Sequence, residues 1–244
     1  MRKTLSTALL LAGITASLQA AASAEETIVA QLQKVNKSIP VVSVEPAQMP
    51  GMYEVTLGSG EVLYADPKGE YFVVGQMYRY SDQDGFVNLT EKKLAAQRAE
   101  KLKQVAEEDM VIFAPEGEVK ATLNVFTDVD CPYCRKLHEE VPKLNEMGVQ
   151  VNYLAFPRAG FGSPAYKKMN SIWCGEPGTR TELMTKVKTG QKIEELDCKS
   201  PVMEQMALGQ SVGVTGTPAL LLEDGTLVPG YMPAARLGAM LGIE

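Results

Sequence analysis

Three observations predict the fold class: a small α+β domain, then a helix, then an α/β domain carrying a helical insertion. Residues 25–87 open on one apolar run at helical spacing and continue as β-rich runs broken by turn residues. Residues 88–108 contain neither Gly nor Pro and consist largely of strong helix formers. From residue 109 to 244, strand-like and helix-like apolar runs alternate in the order β-α-β, insertion, β-β-α.

The segment ahead of these elements, residues 1–24, has the composition of a secretory signal. Arg2 and Lys3 precede an apolar stretch around Leu9–Leu18, and Ala22-Ser23-Ala24 offers a small-residue cleavage site after Ala24. A membrane anchor is the competing reading. The stretch is interrupted by Thr and Ser and falls short of the roughly 20 apolar residues a spanning helix needs. Export is therefore expected, and with it a compartment that permits disulfides. The whole chain has 24 basic and 30 acidic residues, a net charge of −6, and loss of Arg2 and Lys3 makes the remainder more acidic. Such a balance argues against nucleic acid or an anionic membrane as partner.

In the first domain, Ile28, Val29, Leu32 and Val35 recur on one helical face. Strands follow, separated by turn signals at Met49-Pro50-Gly51, Gly58-Ser59-Gly60 and Pro67-Lys68-Gly69. A helix and sheet of about 60 residues bury a thin core and leave edges to cover. Pairing with a second copy meets both needs, so dimerisation through residues 25–87 is expected. The helix over 88–108, with Asn88 or Thr90 as cap, has a narrow apolar stripe of Leu94, Ala95, Leu102 and Val105. That narrowness reads as a semi-rigid linker between domains; lying flat on one domain is the alternative.

In the second domain, residues 120–129 read as a strand, and 131–148 as a helix with Leu137, Val141 and Leu144 facing inward. Residues 149–157 form the next strand, 163–213 a helical and irregular insertion, and 218–230 two strands joined at Asp224-Gly225. Residues 232–242 close with a helix. This order is what a thioredoxin-like domain requires.

Four cysteines carry the chemistry. Cys131 and Cys134 sit where a strand gives way to a helix, so Cys131 meets unpaired helix N–H groups that favour a thiolate. Pro132 suits the first helical turn, where its missing N–H has no partner. On this reading the exposed sulfur of Cys131 attacks and the shielded sulfur of Cys134, one turn on, resolves. A zinc clip would need two ligands beyond the pair, and only His138, the single histidine, stands near. A c-type haem would need histidine where Arg135 stands. A disulfide at a helix start is a poor staple and a good reagent. His138 is expected as a partly exposed helix residue. Asp128 and Asp130 oppose the helix terminus by raising a nearby thiol. With the pair accounted for, Cys174 and Cys198 are left to bond each other; two buried thiols or a second redox pair are the alternatives.

Together, FTDVDCPYC with the following KLHE, then YLAFPRAG, SIWC and GVTGTPALLLEDGTLVPGY, resemble the DsbC/DsbG family of periplasmic thiol-disulfide interchange proteins. The resemblance covers essentially all of the chain after residue 24, weakly over 25–108. It implies a cystatin-like N-terminal domain that dimerises, helical arms, and thioredoxin-like domains facing a cleft that binds misfolded exported proteins. It also implies a redox pair kept reduced by a membrane thiol reductase of the DsbD type, and no cofactor or metal. In such proteins the proline equivalent to Pro218 is cis and lies beside the pair, and the backbone at Thr217 can receive an extended peptide by strand addition. Pro132 departs from the glycine usual in the isomerases. CPYC, with Tyr133, is the DsbG pattern, yet the second cysteine pair of this chain is absent from that relative. Isomerase, reductase, oxidase and redox-independent holdase stand as the alternatives.

Overall fold

The computed structural model describes residues 24–243, so the expected signal segment lies outside the described residues except for Ala24. The chain divides into two compact units, one up to Thr90 and one from Glu91 onward.

In the first unit, helix α1 (residues 24–35) buries Ile28 and Leu32 against a four-stranded antiparallel sheet. Its strands are β1 (Val41–Pro46), β2 (Tyr53–Leu57), β3 (Val62–Ala65) and β4 (Phe72–Val74), in spatial order 1-2-3-4. All three proposed turn signals fall between consecutive strands, as a simple meander requires. Val35 ends the helix pointing to solvent, 81% exposed, rather than inward. The core is small: Ile28, Leu32, Val44, Val55, Leu63 and Ala65. A hairpin that the sequence reading overlooked follows, β5 (Tyr78–Ser81) with β6 (Gly85–Asn88). Its signal is Asp84-Gly85, with Gly85 at φ +67°.

Helix α2 spans Leu89–Leu102, shorter than the expected 88–108. Thr90 does not cap it. Its hydroxyl is buried, accepting from the Met77 N–H at 2.7 Å and meeting the Tyr64 hydroxyl at 2.5 Å. From Glu91 onward α2 belongs to the second unit and lies along it. Arg98 Nε donates to the Val212 carbonyl at 3.0 Å and Lys101 Nζ to that of Ser211 at 2.9 Å. Leu102 and Val105 pack against the cluster around Phe126 and Leu221. The free-spacer reading is corrected for this part of the helix. Cations reaching neighbouring carbonyls dock a face whose apolar stripe looks too thin for burial.

The second unit is built on a five-stranded sheet in the order β11-β10-β8-β9-β7. Its strands are β7 (Val111–Phe113), β8 (Ala121–Thr127), β9 (Val149–Ala155), β10 (Ala219–Leu222) and β11 (Leu227–Pro229). Only β8 and β9 run parallel, as a β-α-β crossover demands. The three-residue edge strand β7, antiparallel to β9, is too short to have declared itself in sequence. The crossover is two helices rather than one: α3 (Pro132–Glu139) and α4 (Val141–Glu146). Pro142 has no N–H to return to His138, so the helix breaks at Glu140. Leu137, Val141 and Leu144 are buried as expected. The insertion supplies α5 (Pro164–Cys174), α6 (Arg180–Lys188) and α7 (Val202–Ser211), and α8 (Ala234–Met240) closes the chain.

Candidate active site

Strand β8 delivers the chain to the site. After Thr127, the turn Asp128–Asp130 leads into α3, for which Cys131 is the N-cap in an extended conformation and Pro132 the first helical residue. Neighbouring strand β10 is antiparallel to β8 with Ala219 opposite Phe126. That register brings Thr217 and Pro218, just ahead of β10, beside the turn that carries Cys131. The Thr217–Pro218 bond is cis. The Cys131 thiol donates to the Thr217 carbonyl at 3.2 Å, joining residues 86 apart in sequence.

Both cysteines are free thiols. Cys134 is fully buried, and the Asp128 N–H donates to its sulfur at 3.5 Å. Cys131 is 2% exposed, which corrects the expectation of an open sulfur. Its cover comes from the distant Thr217 segment and is shallow: Pro132, Tyr133, Thr215 and Gly216 around it are all exposed, Tyr133 at 63%. A depression of about 160 Å³ runs beside this cover, lined by Gly216, Thr217, Pro218, Leu227 and Pro229 among others.

The two sulfurs differ electrostatically. Burial pushes the Cys131 thiol up, but the Thr217 side chain, the Cys134 N–H and thiol, and the Tyr133 N–H outweigh it, and the thiol ends below the ordinary value. In the thiol form the Thr217 hydroxyl oxygen is buried without a hydrogen bond among the described residues, so it is available to turn to a thiolate. Cys134 ends above the ordinary value because burial dominates, partly offset by Lys188. The feared acidic neighbours are neutralised. Arg158 reaches the Asp128 carboxylate through Nε at 3.1 Å and its own N–H at 3.0 Å; Lys168 and Arg135 meet Asp130 at 2.7 and 3.3 Å.

His138 is buried, not partly exposed. Its ring nitrogens meet the Tyr153 hydroxyl at 3.0 Å and the Thr185 hydroxyl at 3.1 Å. Burial and then Lys188 pull its pKa down to about 4, so it is neutral at neutral pH. With both nitrogens engaged, it is a core-side link and not a third ligand for the cysteines. The described residues contain no group of three or more His, Cys, Asp or Glu able to hold a metal. Cys174, at the end of α5, and Cys198 form a disulfide with Cα atoms 5.8 Å apart. The sequence reading missed Lys188, which belongs to no local motif, and gave no role to Arg158, although it lies within YLAFPRAG.

Residues 106–242 match the thioredoxin-like domain family, and residues 19–91 match the disulfide bond isomerase protein N-terminal domain. The thiol:disulfide interchange protein DsbC of Escherichia coli K12 is 38% identical over 81% of this chain and 80% of its own length. The chain belongs to the DsbC family. The DsbC of Dickeya dadantii is 35% identical over 93% of this chain and 91% of its own. Among solved structures, a disulfide interchange protein from Neisseria gonorrhoeae is 28% identical with a TM-score of 0.51, covering 57% of this chain and 96% of that one. Membership in the DsbC family accounts for the two-unit build and for thiol-disulfide oxidoreductase chemistry at a thioredoxin-like fold.

Proposed function

We propose that this chain is a periplasmic disulfide isomerase and reductase whose nucleophile is Cys131. The observation that carries the reading is the contrast within the pair: a lowered thiol under a shallow cover beside a buried, raised one. The Cys131 thiolate attacks one sulfur of a wrong substrate disulfide, and the other substrate sulfur leaves as a thiolate. A second substrate thiolate can then attack the mixed disulfide, returning Cys131 as thiolate with no net oxidation. Alternatively Cys134 attacks Cys131, releasing reduced substrate and leaving a Cys131–Cys134 disulfide. That oxidised form needs two electrons from outside, supplied on this reading by a membrane reductase of the DsbD type. The backbone at Thr217, next to the depression along Pro218 and Pro229, receives the substrate as an extended strand.

The first unit, with the expected boundary at residue 87, is the dimerisation domain. Support comes from edge strand β4, whose Phe72, Val73 and Val74 are all exposed, and from the exposed Tyr78, Tyr80 and Phe86 of the adjoining hairpin. Misfolded exported proteins are the substrates, and no described helix is long and apolar enough to cross a membrane. One observation favours an oxidase as second reading: whatever stabilises the Cys131 thiolate stabilises the reduced pair and so strengthens it as an oxidant. The redox state of the pair in cells separates the two, reduced for an isomerase and oxidised for an oxidase. Refolding of a scrambled multi-disulfide protein tests the chemistry. Cys131→Ser abolishes turnover and Cys134→Ser accumulates trapped complexes; undiminished activity of Cys131→Ser overturns the assignment.

A further inference from the structure

Lys188, the last residue of α6, is 3% exposed, an unusual setting for an ammonium group. Its Nζ donates to the Thr127 hydroxyl at 2.5 Å and towards the Asp128 carbonyl at 3.4 Å, and lies 5.3 Å from the centre of the Tyr153 ring. Among the described residues it has no ion pair; the Asp128 carboxylate is turned instead to Arg158 and to the Asp130 N–H at 2.8 Å. A buried, hydrogen-bonded cation without a counter-ion is costly to keep. The same short segment, Thr127–Asp128, that holds Nζ also donates the Asp128 N–H to the Cys134 sulfur. Ammonium and sulfur are thus each one hydrogen bond from the Asp128 backbone, and both are buried.

We propose that Lys188 is the internal counter-ion of the Cys134 thiolate, a positioning residue that makes the resolving sulfur nucleophilic. The inference rests on the Cys131 reading given above and deepens it. In the step, the Cys134 thiol loses its proton beside Lys188, and the resulting thiolate attacks the Cys131 sulfur of the mixed disulfide. The Cys131–Cys134 bond forms, the bond from Cys131 to the substrate sulfur breaks, and the substrate leaves as a thiolate. The pair is oxidised by two electrons and the substrate reduced by two. The thiol proton is released to solvent while Lys188 keeps its own charge. Burial lowers Lys188 to about 8, partly reversed by Cys134, Asp128 and Cys131, and burial raises Cys134 with Lys188 opposing it, so charge on either group favours charge on the other. The other groups facing the site are Asp128, Arg158, Arg135, Tyr153, His138 and Cys131. Arg158, bonded to the Asp128 carboxylate, keeps its charge, burial holds Tyr153 neutral, and His138 is neutral above about pH 4.

A stoichiometric aromatic disulfide reagent separates the two events by absorbance: the first thiolate is released by attack from Cys131, the second by resolution from Cys134. Lys188→Met is expected to leave the first phase within about twofold, to slow the second at least tenfold at pH 7, and to move its pH midpoint upward by a unit or more. Lys188→Arg, which keeps the charge, should restore the second phase to within about threefold. A folded Lys188→Met protein with an unchanged second phase and midpoint overturns the inference. Should that variant not fold, Lys188→Gln, which can keep a hydrogen bond to the Thr127 hydroxyl but drops the charge, decides: a second phase slowed at least tenfold supports the pairing, and an unchanged one refutes it. Loss of the first phase in the natural chain would instead sink the Cys131 reading.

Discussion

Removing the Cys174–Cys198 bridge isolates what that bond contributes. The cross-link spans 24 residues, so the chain-entropy relation gives about 3.5 kcal/mol. Little else is lost on substitution with serine, since Cys174 is only half-buried and Cys198 is exposed. Part of the loop stays tethered without the bond. The Asn170 side-chain amide donates to the Leu196 carbonyl at 3.2 Å, the Leu196 N–H to the Ser171 hydroxyl at 3.0 Å, and the Ser200 hydroxyl to Asn170 at 2.6 Å. The expected loss for Cys174→Ser/Cys198→Ser is therefore about 2–3.5 kcal/mol, a fall of roughly 1 M in urea midpoint at an m of about 2–3 kcal/mol/M. Trp173, the only tryptophan, is buried beside the bridge and reports unfolding of this unit by fluorescence. Attack by Cys131 on an aromatic disulfide should stay within twofold. An unchanged midpoint refutes the staple, and lost activity at an unchanged midpoint means the bridge is a redox element.

Three further outcomes follow from particular contacts. His138 binds a proton in the unfolded chain near pH 6.5 but in the fold only near 4, so stability is full above about 6.5 and falls as pH drops between the two values, by roughly 3 kcal/mol at most; urea titrations at pH 7, 5 and 4 should show this, and His138→Gln should flatten it. Gly225 stands at φ +83° with the Ala95 carbonyl oxygen 1.8 Å from where a Cβ would be, so Gly225→Ala should destabilise by more than about 2 kcal/mol, read as a lower melting midpoint; an unchanged midpoint would mean that α2 does not press on this turn. Val74→Lys places a charge on the exposed β4 edge and should shift the sedimenting species from dimer to monomer; a natural chain that already sediments as a monomer would contradict the dimer.

Local chemistry made much of this chain legible. The meander turns, the helix start at Cys131-Pro132 and the Asp224-Gly225 hairpin each announce themselves within a few residues, because turn and cap preferences are properties of short segments. The break at Glu140 was equally local, and Pro142 carried the signal for it. What escaped was decided by register. His138 occupies an ordinary helical position, and only Tyr153 from β9 and Thr185 from α6 make it a buried link. Cys131 reads as open because nothing near it in sequence covers it; the cover arrives from Thr217.

That distinction explains why the reactive pair could be named but its environment could not. The pairing of Ala219 with Phe126 and of Thr127 with Ala155 fixes what stands beside the end of β8. Slipping β10 by one residue would turn its side chains to the other face and carry Pro218 off the sulfur. Lys188 enters from a helix 60 residues further on, with no spacing that ties it to the cysteines. Each contributes through a hydrogen bond to backbone or to Thr127, so the charge balance at the sulfurs is written in the geometry of one strand end. Variation in the CxxC dipeptide alone therefore cannot set the reactivity of this pair; the segments that meet at Thr127–Asp128 set it jointly with Pro132 and Tyr133.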